Sequence, residues 1–450
     1  MPERSVLYVC HNHPSARPGG AEAYAVELFE AMRRSRSFRP LLLAKGGPPM
    51  SRIPWMREGT RLSAIDGRPD EYFLHTEMAE FDSLLGVARN KEIPGRHFRR
   101  FLEEFRPDVV HFQHTHFLGY DLIREVRATL PDAPIVYTLH EYLPICHRQG
   151  QMVRATDDGL CDEASPRRCH ECFPDVSPEL FFLRKRFIQS HFELVDAFLA
   201  PSRFLLERYV AWGIPRRRIR FEDYGRLPAA AVSERADGRP RNRIGFFGQF
   251  TSFKGVDVLL RAARILAERD VDVRFWIHGA NLELQPAAFR DEIEELLSST
   301  RGVVTNVGRY RPAELGRLMS NVDWVVVPSI WWENSPLVIQ EAFQHRRPVI
   351  ASDVGGMAEK VADGVNGLHF RVRDPVSLAE TIERAATTPG LWRTLRDGIP
   401  DVYSMKRHVA ALTGLYRSLL RRRSGAGPRT PDSAAPSPVD ADPVEEVIRV

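Results

Sequence analysis

The stretch PSIWWENSPLVIQEAF, residues 328 to 343, decides how the chain is read. It follows the apolar run WVVV, so a buried strand ends near Pro328 and a helix begins just after. Ser335 is a good N-cap, and Pro336 suits the first helical position because its missing N–H is not needed there. The N–H groups of Leu337 and Val338 then point out of the helix start without intrahelical partners. Such an end attracts anions, phosphates above all. Two carboxylates flank it, Glu333 before the turn and Glu341 roughly a turn and a half into the helix. Glu333 would repel an anion bound at the helix start, so it should reach past that anion to hydroxyls. Glu341 can approach a different polyol. A ligand with a phosphate centre between two hydroxylated rings, such as a sugar nucleotide, fits all three features. The same residues also read as a capped surface helix with two solvated acids, and shape alone leaves both readings open.

Outward from this stretch, apolar runs alternate with helix-period segments over most of the 450 residues. SVLYVC, PLLLAK, DVVHFQ, PIVYTLH and AFLAP suit buried parallel strands in the first half; RIGFFGQ, VRFWIHG, VVTNVG, WVVVPS and PVIASD suit them in the second. GAEAYAVELFEAMRR and VDVLLRAARILAER are amphipathic helices between strands. The fold class is therefore α/β, with parallel sheets covered by helices, and the length calls for two domains. The predicted organisation is a first domain over 1–225, a linker over 226–242 where GRLPAAAVSERADGRPRN breaks the rhythm, a second domain over 243–406 and a last helix over 407–421. Residues 422–450, rich in Pro, Ala and Asp, have the composition of a disordered tail. Two doubly wound domains bind ligands at the carboxyl ends of their strands, so the loops after strands carry the chemistry.

Three more such loops stand out. In GQFTSFKG, Lys254-Gly255 opens a helix, and lysine offers a compact charge to a phosphate. It is one of only six lysines among 63 basic residues, which mildly favours a specific role over a surface lysine. Gly19-Gly20 opens the first helix and allows close backbone approach, but no G-x-G-x-x-G is present. His140 ends a strand, where it could orient a hydroxyl or take a proton, or merely finish the strand. His111, His114 and His116 in HFQHTHF read as structural rather than metal-binding.

Four of the five cysteines, Cys146, Cys161, Cys169 and Cys172, share one loop. Such a cluster suggests a tetrahedral metal, with His147 and His170 as possible substitutes, although free thiols or a redox pair remain open. The reading adopted is one structural zinc on the acceptor side. The net charge of +4 is spread along the chain and excludes a dedicated nucleic-acid binder. The first residues show no signal-peptide pattern and no run approaches a membrane span, so the expectation is a cytoplasmic protein. The basic segment LRKRFIQSHFELV could rest on anionic lipid, giving peripheral membrane contact, or be a solvated helix face.

These motifs resemble the retaining family 4 glycosyltransferases, which have the GT-B fold: two Rossmann-like domains facing a cleft. The resemblance spans about residues 5 to 421 and rests on E-x(7)-E at Glu333 and Glu341 inside the block 328–367, on Lys254-Gly255, on GGAE at 19–22 and on His140. It implies a nucleotide-diphosphate-sugar donor, a hydroxyl acceptor on a glycan, a lipid-linked glycan or a small molecule, and a transfer step without a metal cofactor. No Asp-x-Asp metal motif occurs in the candidate loops. It further implies that Glu333 holds sugar hydroxyls of the donor, with Asn334 among the donor-binding residues, that Glu341 holds the ribose, and that Lys254 with Leu337 and Val338 holds the diphosphate. Arg309 and Tyr310 would lie by the base, Gly20 would approach from the other domain, and His140 would sit by the transferred sugar. Many relatives carry arginine where this chain has Gln249, which shifts more of the leaving-group charge onto Lys254. Catalytic roles fall on His140, Lys254 and Glu333. A sugar-nucleotide epimerase or phosphorylase on the same fold, and a catalytically silent sugar-nucleotide-binding protein, are the alternatives.

Overall fold

The computed structural model describes residues 4–16, 19–47, 61–229 and 239–425. Most of the expected linker, the tail beyond residue 425 and residues 48–60 of the first domain lie outside the described residues.

The first sheet has eight strands. Across it run Ile219–Phe221, Ala197–Ala200, Ile135–Thr138, Val109–Phe112, Ser5–Cys10, Arg39–Gly46, Arg68–His75 and Leu62–Ile65. All neighbours are parallel except the last pair. The antiparallel edge hairpin, Leu62–Ile65 with Arg68–His75, was not expected. Leu62–Ile65 is only four residues long and Arg68–His75 opens on charged residues, so neither gives a clear apolar run; the usable clue was Asp66-Gly67, a turn with Gly67 at φ +69°.

The second sheet has six strands, all parallel, in the order Val304–Asn306, Arg274–Ala280, Arg243–Gln249, Trp324–Val327, Val349–Ser352, Gly367–Phe370. In chain order this is 3-2-1-4-5-6, the doubly wound arrangement whose ligand crevice opens between strands 1 and 4. Here the crevice lies between the ends of Arg243–Gln249 and Trp324–Val327. Those ends lead to Lys254 and to Glu333.

Both sheets are buried on both faces, which is why their strands read as unbroken apolar runs. The last helix, Met405–Gly425, starts beside the second domain and packs on the first. Its Met405, Val409, Leu412, Leu415 and Tyr416 share a core with Val6, Tyr8, Tyr24 and Phe29. Tyr416 meets His111 at 2.6 Å, and His408 meets Tyr24 at 2.6 Å. The chain also crosses at Arg226, whose N–H donates to the Tyr403 carbonyl while its carbonyl accepts from Met405. Gly225 is pressed against this crossing: a Cβ there would lie 2.6 Å from His408 Cβ. The segment read as the start of a loose linker is thus a packed joint.

No described helix is long and apolar enough to cross a membrane. Leu412 is buried in the core that ties the last helix to the first domain. Leu412→Ala is expected to cost about 2–5 kcal/mol in denaturant unfolding; an unchanged midpoint would show that the helix docks without this contact.

Candidate active site

Lys254 and Glu333 form an ion pair of 2.5 Å at the crevice of the second sheet. Glu333 also accepts from the Ser329 hydroxyl at 2.8 Å, and Lys254 lies 5.8 Å over the Trp331 ring. Two glycines make the approach possible. Gly255 has φ +66°, and a Cβ on it would stand 1.9 Å from the Pro328 carbonyl oxygen. A Cβ on Gly356 would stand 1.5 Å from the Asn334 carbonyl oxygen. Glu333, expected to reach sugar hydroxyls beyond a bound anion, is here the partner of the lysine.

The helix start also differs from expectation. Ser335 does not cap it. Its hydroxyl donates instead to Asp223 of the first domain at 2.9 Å, because a charged partner across the cleft outcompetes a backbone N–H. Pro336 stays outside, and the helix runs Leu337–Gln344 with no side-chain cap. Facing it is the first helix, Gly20–Ser35, whose N-cap Gly19 offers no side-chain cap. A Cβ on Gly20 would lie 3.7 Å from Leu337 Cδ1. Two helix starts thus meet across the cleft, and the positive ends of both dipoles aim into it.

The other donor-side expectations separate. Glu341 is half-buried and holds the Arg226 guanidinium at 2.9 Å, and Arg226 reaches Glu27 of the first helix at 3.3 Å. Burial raises the Glu341 pKa against the pull of Arg226. Val338 is half-buried on the same helix. Gln249 is exposed at its strand end. Arg309 is exposed and turned to Asn281 and Glu283, while Tyr310 packs edge-on against Phe247 and His278.

On the acceptor side, both His140 nitrogens are engaged. Nδ1 lies 2.6 Å from the Tyr224 hydroxyl and Nε2 lies 3.0 Å from Gln113 Oε1. Burial, followed by the charge of nearby histidines, depresses its pKa well below the usual imidazole value, so the ring is neutral. The Asn334 side-chain amide faces Tyr224 and the backbone carbonyls of Leu139 and His140, at 3.3–3.4 Å, and its oxygen accepts from Ser202 at 2.8 Å. Its side chain joins the two domains. One consistent proton pattern runs Asn334 to Tyr224 to His140 to Gln113. His140 is held in place, and its access to a substrate depends on displacing one of these partners.

Sequence reading missed the groups beside it. His11 pairs with Glu22 at 3.1 Å and His114 with Glu141 at 3.2 Å. Burial disfavours the His11 charge, but hydrogen bonds to Cys10 and Glu22 outweigh it and hold the ring up at about 10. Burial likewise works against the Glu22 charge, and the His11 hydrogen bond brings it down to about 2. Burial pushes Glu141 up to about 8. Asp223 and Arg226 were also missed; Asp223 holds Ser335, Gln340 and Lys360 at once. Neither sits in a recognisable motif, and the segment FEDYGR gives no local signal of its long-range partners. The four loop cysteines are all free and partly buried, and their side chains line one cavity. Among the described residues no group of three or more His, Cys, Asp or Glu is already arranged to hold a metal ion.

Two facing doubly wound domains with a helix crossing back make the GT-B architecture. Solved structures agree. Sucrose-phosphate synthase from Thermosynechococcus elongatus superposes with a TM-score of 0.68 at 18% identity, over 93% of this chain and 100% of that one. The catalytic domain of starch synthase IV from Arabidopsis thaliana, bound to ADP and acarbose, does so at 0.64 and 15%, over 93% and 100%. The family model for Glycosyltransferase Family 4 matches residues 18–221, and that for Glycosyl transferases group 1 matches 241–388. The chain belongs to the family 4-like glycosyltransferases of the GT-B fold. Among curated relatives, the alpha-D-kanosaminyltransferase of Streptomyces kanamyceticus is 28% identical over 42% of this chain and 49% of its own. A D-inositol 3-phosphate glycosyltransferase of Corynebacterium urealyticum is 32% identical over 42% and 47%. The chain thus spans about half the length of these relatives. One from Corynebacterium diphtheriae aligns more widely, over 85% and 86%, at 24% identity.

The His11–Glu22 pair sets a pH dependence. Folded His11 keeps its proton to about pH 10, whereas the unfolded ring loses it near 6.5. The stability this proton supplies is whole below pH 6.5 and is lost as pH rises through 10. Glu22→Gln is expected to flatten this alkaline decline in urea midpoints; parallel curves for both proteins would remove the assignment.

Proposed function

We propose that the protein transfers a sugar, with retention of configuration, from a nucleotide-diphosphate sugar to a hydroxyl acceptor. The observation that carries the reading is the meeting of two helix starts, at Gly20 and Leu337, in the crevice that also holds Lys254. The donor diphosphate lies against these N–H groups and Lys254. Glu333, released from the lysine by the incoming anion, accepts from sugar hydroxyls, and Glu341 accepts from the ribose. The base lies near Gly308, Arg309 and Tyr310. Anabaena HepE, which shares this fold, has been solved with UDP-glucose, and the starch synthase with ADP, which supports a nucleotide donor.

In the reaction the bond from the anomeric carbon to the diphosphate oxygen breaks, and its electron pair stays on that oxygen. The acceptor oxygen bonds to the same face of the carbon, and its proton passes to the departing phosphate. The charge that develops on the diphosphate is met by Lys254 and the two helix dipoles, which are in place before the reaction. These groups suffice without a metal in the transfer step. His140, neutral and fixed by Tyr224 and Gln113, shapes the wall beside the anomeric carbon. The acceptor is a hydroxyl of a glycan, a lipid-linked glycan or a small molecule, as in cytoplasmic polysaccharide assembly with peripheral membrane contact.

A panel of UDP-, GDP-, ADP- and dTDP-sugars tests the reading. Slow release of one nucleoside diphosphate, accelerated by an acceptor, is expected. An epimerised donor, or binding without turnover, would contradict it.

With the active donor, Lys254→Ala is expected to lower turnover more than tenfold, since a preorganised charge on a leaving group is worth several kcal/mol. Glu333→Gln should abolish transfer while the nucleoside diphosphate still binds, and Glu341→Ala should weaken nucleotide binding itself. His140→Ala should slow transfer with donor affinity kept. Calorimetric binding beside steady-state kinetics separates these effects; unchanged turnover in both glutamate variants would move the donor site elsewhere.

A further inference from the structure

The loop after His140 touches the donor domain at two points. The Trp332 indole, next to Glu333, donates to the Cys161 carbonyl at 3.1 Å. The Arg148 guanidinium lies 5.7 Å over the ring of Phe253, next to Lys254. A loop that braces the neighbours of both charged groups needs a fixed shape. Its sequence between Cys146 and Cys172 is polar and supplies little core of its own. Its internal order comes from a small hairpin, with Val153 bridged to Leu160 and the Cys161 N–H donating to the Met152 carbonyl at 2.8 Å. From outside, the buried Arg184 donates to the carbonyls of Leu143 and Pro144.

The side chains of Cys146, Cys161, Cys169 and Cys172 all line one cavity of about 30 Å³ inside this loop. Cys169 and Cys172 stand three residues apart on the short helix Pro166–Cys172, which places them on one face. Cys161 closes the hairpin, and Cys146 comes from the turn after His140. None is in a disulfide. His147 lines the same cavity, and its Nδ1 is buried without a hydrogen-bond partner.

We infer that this cavity is a structural zinc site whose ligands are the four cysteine sulfurs. Zinc favours four tetrahedral thiolates at about 2.3 Å, and the four cysteines surround one small cavity in which such an ion could sit. The thiols line the cavity without yet closing on one point, so binding turns them inward, and each gives up its proton as it becomes a ligand. With all four positions filled by protein the ion has no open site, and it acts on shape: it fixes the Cys161 carbonyl under Trp332 and Arg148 over Phe253. The inference stands independently of the proposed transfer reaction.

Elemental analysis of the full chain purified without chelator tests it. About one zinc per chain is expected, released with about four thiol equivalents on mercurial titration. Cys10→Ser should leave that stoichiometry unchanged, while Cys169→Ser with Cys172→Ser should abolish it. Chelation should open the loop to trypsin at Arg154, Arg167 and Arg168, read by mass spectrometry without reference to activity. Folded wild-type protein that lacks stoichiometric zinc and titrates all four thiols freely, or that pairs them as disulfides, overturns the site. Because this is read on the wild type, a variant that fails to fold does not decide the matter.

Discussion

A carboxylate left alone in a protein interior is costly, and Glu333 is only 8% exposed. The ion pair with Lys254 resolves that cost, and the surrounding backbone is arranged to permit it. Gly255 takes a left-handed conformation with the Pro328 carbonyl where a side chain would be, and the Ile330 N–H donates to the Phe253 carbonyl. Gly356 leaves room for the Asn334 carbonyl, and its own N–H donates to the Glu333 backbone carbonyl. Removing one partner of a buried pair is strongly destabilising, so any group that separates Lys254 from Glu333 has to replace both partners at once.

The same segment ties the site to the other domain. Residues 332 to 335 each have a partner or role across the cleft or at the pair: Trp332 with Cys161, Glu333 with Lys254, Asn334 with Ser202, and Ser335 with Asp223. Six residues on, Glu341 meets Arg226, which in turn meets Glu27. The crevice ion pair and the interdomain contacts therefore share one short piece of chain. Through Asn334 and Tyr224 the network reaches His140, so the position of the donor loop and the orientation of the acceptor-side histidine are coupled by hydrogen bonds.

Much of the fold was legible because parallel sheets leave a strong local mark. RIGFFGQ was read as a strand over the residues it occupies, Arg243–Gln249, and GAEAYAVELFEAMRR became the helix Gly20–Ser35. What failed was decided by partners far along the chain. Ser335 has every local reason to cap its helix, yet Asp223, 112 residues away, takes its hydroxyl. Arg226 lies in a stretch whose prolines and glycines read as linker, yet it is held between two carboxylates on different domains. His11 and Glu22 are separated by a glycine turn that brings them together only in the folded chain. Local chemistry drew attention to Lys254, Glu333, Leu337 and His140, but the partners that hold them, such as Tyr224 and Gln113 at His140, lie far along the chain.

A crystal structure with a bound nucleoside diphosphate tests the account most directly. The account predicts phosphate oxygens within hydrogen-bonding reach of the Leu337 and Val338 N–H groups and of Lys254 Nζ, with Lys254 drawn off Glu333 and the Glu333 carboxylate facing the space for a sugar. A diphosphate bound elsewhere, or bound in the crevice with the Lys254–Glu333 pair intact, would contradict it.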